Sequence, residues 1–262
     1  MQARSKALLL AGLSVVVVAV VSLLPPVSQD VRYHHFADQR SLWGIPNFGN
    51  VVSNLPFLAV GAVGLWRVAI TRVPAAIGWI YSVLFIGVLL TGFGSAYYHW
   101  HPDNDRLIWD RVPMTIVFMS LLSATVAELV DRRLGMGLLF PLVALGAGSV
   151  LYWHWSELQG HGDLRWYGLV QFLPMLLIPL LLWLYWSPAH KPAIRSLAWV
   201  VVWYIVAKVM EALDRQIYDL VGISGHTLKH LAAAMSTVYF VQLFGRRYRG
   251  LRDRAISREN AI

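Results

Sequence analysis

The stretch GSAYYHWHPDNDRLIWDR, residues 94–111, joins two long apolar segments and concentrates reactive side chains at their ends. Ser95 and His99 are four positions apart, and Asp110 follows at the start of the next apolar segment. Side chains four residues apart share one face of a helix, so Ser95 and His99 would face the same neighbours. This stretch therefore predicts a helix end, a turn and a helix start with polar side chains directed into one place.

A second histidine pair with the same spacing lies far downstream, at His226 and His230. The chain contains no cysteine, so a zinc site would have to use imidazole and carboxylate ligands. Catalytic zinc takes three protein ligands and leaves the fourth position to water. We therefore predict that His99, His226 and His230 meet and bind one Zn2+.

The composition indicates an integral membrane protein. Of the 262 residues, 57% are hydrophobic and only 14% are charged, whereas soluble domains have roughly 25% charged residues. The net charge of +8 comes from Lys and Arg in short loops and near the C-terminus, where membrane proteins carry topology signals. A nucleic acid is therefore excluded as a partner.

Apolar runs predict the helices. The first run, residues 7–24, is longer than the roughly 7–15 apolar residues of a signal peptide, which favours an uncleaved helix over a cleaved leader. Each of the later segments has close to the roughly 20 residues that a helix needs to cross a bilayer. They lie near residues 47–69, 75–100, 110–130, 135–154, 165–186, 194–216 and 224–244. We predict an all-α, polytopic membrane helix bundle with a seven-helix core and one extra N-terminal helix.

The same segments define the expected organisation of the chain. It comprises an N-terminal helix (1–24), an outer polar segment (25–46), the seven-helix core (47–244) and a basic cytoplasmic tail (245–262). Basic residues concentrate in segments that share a side with residue 1, so the positive-inside rule predicts that both termini are cytoplasmic. His99, Asp110 and His226 then lie near the outer face.

The predicted site suggests hydrolytic chemistry. Three neutral imidazoles would lower the pKa of a water on zinc towards about 7. Asp110 is the candidate general base, and Ser95 is the candidate donor to the oxyanion. Asp110 could instead be a fourth ligand, or an interfacial ion-pair partner of Arg106 or Arg111.

These residues resemble motifs of the alkaline ceramidase family, within the CREST superfamily of seven-helix membrane hydrolases that includes the adiponectin receptors. The similarity covers residues 47 to about 244. Asn50-Val-Val-Ser53-Asn54 resembles the family's N-x-V-S-N, and residues 94–99 resemble its G-S-x-x-x-H. Asp110 with the following Pro-Met resembles D-x-x-P-M, and residues 226–230 resemble H-x-x-x-H.

The resemblance implies a zinc-dependent enzyme that hydrolyses the amide bond of a ceramide-like lipid or an N-acyl amine. It implies Zn2+ bound by His99, His226 and His230, with Ser95 and Asp110 as catalytic residues. The lipid amide would enter sideways from the surrounding membrane lipids. Residues 36–54 resemble bacterial members, which implies a multi-pass inner-membrane protein. The alternative is an adiponectin-receptor-like receptor or transporter in which zinc only holds the helices together.

Two further groups of polar residues concern a possible calcium site and a face of a later helix. The N-terminal calcium site of the animal ceramidases is not carried over, because Asp38 is the only carboxylate of its segment after Asp30. Downstream, Lys208, Glu211 and Asp214 share one helix face. They predict either an ion pair of Lys208 with Glu211 or a group near the substrate headgroup, with Asp214 the better candidate for the second role. Neither the headgroup nor the oligomeric state follows from these residues.

Overall fold

The computed structural model describes residues 2–259 as a bundle of ten α-helices, with two short 3-10 helices and no β-strand in that range. The helices are α1 (Ala3–Leu23), α2 (Phe48–Val52), α3 (Leu55–Ile70), α4 (Ala75–Trp100), α5 (Asn104–Leu129), α6 (Arg132–Leu158), α7 (Arg165–Leu184), α8 (Lys191–Ala212), α9 (Asp214–Val221) and α10 (Gly225–Glu259). The prediction of an all-α membrane bundle is confirmed.

Seven segments of the described chain are long and apolar enough to cross a membrane, and α2 with α3 forms one of them. The first is α1, which packs beside α7 at the edge of the bundle. The predicted last core helix is α10, which packs along α8 and α3 but is less apolar than these seven segments. Its first two turns carry His226, Lys229 and His230, which explains the lower apolarity.

The predicted helix over residues 47–69 is broken between α2 and α3. Pro56 has no N–H to donate to the carbonyl of Val52, so the regular hydrogen-bond ladder cannot continue there. Asn54 Nδ2 instead donates to the carbonyl oxygen of Asn50 at 2.8 Å. The break leaves the polar side chains of the turn near the end of the bundle that carries His99.

Two more predicted helix boundaries are corrected. The helix predicted for 194–216 ends at Ala212, and α9 begins at Asp214 after a break at Leu213. The helix predicted for 224–244 extends to Glu259, so most of the predicted basic tail is helical. Residues 260–262 of that tail lie outside the described residues.

The closest approach of two central helices occurs at Gly94. A Cβ at residue 94 would lie 1.8 Å from the carbonyl oxygen of Trp109 and 3.5 Å from the backbone nitrogen of Asp110. The absence of a side chain therefore lets the backbone of α5 approach α4. This contact brings Asp110 beside Ser95, the residue after Gly94.

We expect Gly94→Ala to destabilise the protein by roughly 1–3 kcal/mol, the usual cost of forcing extra atoms into a packed interior. The measurement is unfolding of the purified protein in detergent micelles. Gly148→Ala on α6 is the control, because a Cβ added there would meet nothing within 4 Å. Alanine favours helix over glycine, so this control should be neutral or more stable by up to about 1 kcal/mol. Equal stability of the two variants would contradict the close approach.

Candidate metal centre

Three histidines from two helices converge at one end of the bundle. His99 lies in the last turn of α4, and His226 and His230 lie in the first two turns of α10. All three are buried, and one ligand nitrogen of each lies within 4.8 Å of the others. The predicted meeting of these histidines is confirmed, and the group could bind a metal ion.

The spacing of the ring nitrogens fits a bound ion. His99 Nε2 and His226 Nε2 are 3.3 Å apart. Two nitrogens that each lie about 2.0–2.1 Å from a tetrahedral ion would be separated by about 3.3–3.4 Å. Within the described chain no carboxylate belongs to this group, so the ligand set is three imidazoles. Imidazole ligands suit zinc, copper, iron and nickel.

A hydrogen-bond chain fixes the orientation of His230. Its Nδ1 lies 2.8 Å from Ser53 Oγ, and the Ser53 hydroxyl donates to the carbonyl oxygen of Asn50 at 3.1 Å. Because the hydroxyl proton is used in that bond, we assign His230 Nδ1 as the donor to Ser53. The lone pair of His230 Nε2 is then free for a metal, which is the usual function of a partner behind a histidine ligand.

We expect Ser53→Ala to weaken metal affinity about 10- to 100-fold, the usual effect of losing such a partner. Competition with a coloured chelator would measure the affinity of the purified variant. Ser149→Ala is a matched control, because Ser149 is also buried but bonds only to the Gly146 carbonyl of its own helix. If both variants bind metal like the wild type, the Ser53 hydroxyl does not orient His230.

Asp214 holds the start of α10 in place. Its carboxylate accepts hydrogen bonds from the backbone nitrogens of His226, at 2.9 Å, and Ala37, at 3.0 Å, and from the Ser224 hydroxyl. A negative charge at a helix N-terminus is favourable and satisfies N–H groups that lack partners within the helix. The interpretation that placed Asp214 near the substrate is corrected, because Asp214 positions His226 from behind.

The polar segment 25–46 covers the histidines. The Phe36 ring is buried, and its centroid lies 4.6 Å from that of His99 and 4.4 Å from that of His226. Asp38 and Arg40 form an ion pair of 2.7 Å in the same segment. Hydrogen bonds from Arg40 hold the pKa of the Asp38 carboxyl below its usual range. The sequence did not predict that Phe36 belongs to the site. Its only signal was that an aromatic residue lies in a polar segment.

Ser95 and Asp110 line a cavity of about 200 Å3 together with His230. The Asp110 carboxylate lies beside the Ser95 side chain, and Asp110 is 5% exposed. In the described chain Asp110 forms no ion pair with either predicted partner. Arg106 pairs with Asp103, and Arg111 donates to Gln29. Asp110 is therefore a buried carboxylate of the cavity that His230 also lines, and among the described residues it forms no ion pair.

Charged residues from α8 and α10 line the same cavity. Glu211 pairs with Lys229 at 2.7 Å and also with Lys208. The predicted pair of Lys208 with Glu211 is confirmed. The contribution of Lys229 was missed, because its position between two histidines in the sequence gave no sign of which helix it would contact.

No family model, curated protein or solved structure matches the chain. The resemblance to the alkaline ceramidases therefore depends on the motif residues alone. The geometry of the histidine group and its cavity is the independent basis for assigning a function.

Proposed function

We propose that the protein is a zinc-dependent amidohydrolase of the membrane, related to the alkaline ceramidases, that cleaves a ceramide-like lipid or an N-acyl amine. One observation carries the proposal: His230, a member of the three-histidine group, lines a cavity that Asp110 and Ser95 also line. Structural zinc sites are closed by four protein ligands, whereas catalytic sites keep one position open. A group of three ligands, one of which lines a cavity, favours an enzyme over a receptor with a structural zinc.

Each residue has a defined part in this proposal. Zinc held by His99, His226 and His230 would supply Lewis acidity and an activated water. Asp110 accepts a proton from the attacking water and passes it to the nitrogen of the leaving amine. The Ser95 hydroxyl turns from Asp110 and donates to the developing oxyanion on the former carbonyl oxygen. The amide C–N bond breaks, and a fatty acid and an amine are released.

The walls of the cavity suit an acyl chain. Its apolar lining comes from α4, α5, α8 and α10, and includes Val88, Val117, Phe118, Leu121, Val200 and Phe240. A lipid amide could place its chain among these residues and its amide near His230. This arrangement supports a substrate drawn from the bilayer.

The proposal is tested by incubating the purified protein with a panel of lipid amides and extracting the products. We expect release of fatty acid from at least one amide, loss of release after treatment with a zinc chelator, and recovery when Zn2+ is restored. Fatty acid release that is unaffected by the chelator would contradict a metal-dependent hydrolase. Absence of cleavage across the panel by metal-loaded protein would contradict hydrolysis of lipid amides.

We also propose that both termini are cytoplasmic and that the histidine site lies near the outer face of an inner membrane. The bias of Lys and Arg towards segments on the side of residue 1 supports this orientation. A reporter fused after Ile262 should be active only in a cytoplasmic assay, and one inserted beside Asp103 should be active only outside. The reverse pattern would place the site at the inner face.

A further inference from the structure

Arg111 is a buried cation of the cavity whose hydrogen-bonding capacity is only partly used. It follows Asp110 on α5, lines the cavity and is only 4% exposed. Its Nη2 donates to Gln29 Oε1 at 2.5 Å, whereas Nε and Nη1 have no hydrogen-bond partner. In the part of the chain that the structure describes, no carboxylate lies within ion-pair distance of this guanidinium.

The guanidinium is held among three aromatic rings. Its central carbon lies 4.2 Å from the ring centroid of Trp153, 4.5 Å from that of Tyr167 and 5.5 Å from that of Tyr33. Cation–π contacts stabilise the charge, but they do not replace acceptors for the remaining N–H groups. A buried arginine is always charged, and leaving its donors unpaired is costly. A ligand that brings acceptor oxygens would remove that cost.

The surroundings of Arg111 are themselves fixed by hydrogen bonds. Glu157 Oε1 accepts from Trp153 Nε1 at 3.0 Å and from the backbone nitrogen of Gln29 at 2.6 Å. One carboxylate therefore positions both a ring of the cage and the residue that orients the guanidinium. The arrangement is prepared before any ligand arrives, as expected for a binding site rather than a surface charge.

The charges that line the cavity favour an anion. The cations are Arg111, Lys208 and Lys229, and the anions are Asp110 and Glu211, which leaves one positive charge in excess. Glu211 is shared between the two lysines, and Arg111 forms no ion pair with any carboxylate of the described residues. A neutral lipid amide would not balance this charge.

We propose that Arg111 binds an anionic oxygen group of the substrate. The preferred lipid amide then carries a carboxylate or a phosphate near the amide bond, as an N-acyl amino acid or a phosphorylated ceramide-like lipid does. Arginine recognises both groups through charge-assisted hydrogen bonds. The inference rests on the proposed function for the amide itself, but the anion preference can be measured without any hydrolysis.

The test compares two ligands that differ only in charge. N-(hexadecylsulfonyl)glycine and its methyl ester carry a sulfonamide in place of the amide, so neither should be cleaved by an amidohydrolase. Equilibrium binding of each to the purified full-length protein should show tighter binding of the acid by about 10- to 100-fold, the contribution of hydrogen bonds to a charged group. Equal affinity of acid and ester in the wild type would overturn the inference, whatever the variants do.

Variants then assign the preference to one side chain. Arg111→Gln should lower the affinity of the acid to that which the same variant shows for the ester. Arg111→Lys keeps the charge but not the planar donor edge, and should retain only part of the preference. Arg106→Gln is the matched control on the same helix, because Arg106 pairs with Asp103 and does not line the cavity. A preference that survives in both Arg111 variants would overturn the assignment.

A further competition experiment distinguishes an anionic group on a lipid from a free anion in solution. Inorganic phosphate and N-acetylglycine should displace the acid only at concentrations far above those of the lipid analogue. Displacement by low concentrations of either would indicate a site for a soluble anion and overturn the assignment to the substrate. Tighter binding of the acid than of the ester would support this inference even if the protein cleaved no amide. Cleavage of neutral amides without such a preference would reject this inference and leave the proposed hydrolase intact.

Discussion

Metal content should fall from about one equivalent to background when His226 and His230 are both replaced by alanine. The double variant leaves His99 as the single remaining member of the three-histidine group. One imidazole cannot hold a catalytic ion, which ordinarily needs three protein ligands. Elemental analysis of the purified protein measures the metal. Turnover of any lipid amide that the wild type cleaves should disappear with it.

His154→Ala is the matched control for this loss. His154 also lies at a helix end of the bundle, but it pairs with Asp105 at 2.9 Å and belongs to no metal-binding group of the described residues. This control should keep its full equivalent of metal. A full equivalent in the double variant would show that the ion is bound elsewhere, and the three-histidine assignment would be withdrawn.

Asp110→Asn should retain the metal and lose turnover by about 10²- to 10⁴-fold, the usual contribution of a positioned acid or base. Asparagine has nearly the same shape as aspartate, but it cannot take a proton. Ser95→Ala should also retain metal and lose about 10²- to 10³-fold, mainly in kcat. His99→Ala should differ from both, because it loses metal affinity as well. Elemental analysis and steady-state kinetics on one lipid amide separate these outcomes.

Asp105→Asn provides the control for the aspartate variant, because Asp105 lies near the start of the same helix and its side chain is exposed. It should be as active as the wild type. Full activity of Asp110→Asn would remove Asp110 as general base. Loss of metal from Asp110→Asn would make Asp110 a ligand and favour a closed, structural site.

The sequence was sufficient to predict the membrane helices and the three members of the histidine group. A long apolar run in a bilayer folds as a helix, since every backbone N–H and C=O group must find a hydrogen-bond partner inside the segment. The positions of His99 and His226 at the ends of such runs also placed them in one layer of the bundle. The break at Asn54 and the turn at Leu213 were missed, because mean hydropathy locates a membrane span but not a local break in its hydrogen-bond ladder.

The neighbours of the site could not be predicted in the same way. Helical spacing tells which side chains share a face, but not which other segment that face will contact. The cage around Arg111 is assembled from Tyr33, Trp153 and Tyr167, which come from three separate parts of the chain. Phe36 reaches the histidines from a polar segment that has no helical periodicity. Such contacts are set by tertiary packing alone.

The separation of the ligands along the chain has a consequence for biogenesis. His99 and His226 are 127 residues apart, and every helix from α5 to α9 is synthesised between them. A nascent chain that has not yet inserted α10 holds a single ligand and cannot retain the ion. Under the proposed function, acquisition of the metal is thus a late event that follows insertion of α10. Chains that stop before Ser224 contain only one of the three proposed ligands and should purify without metal.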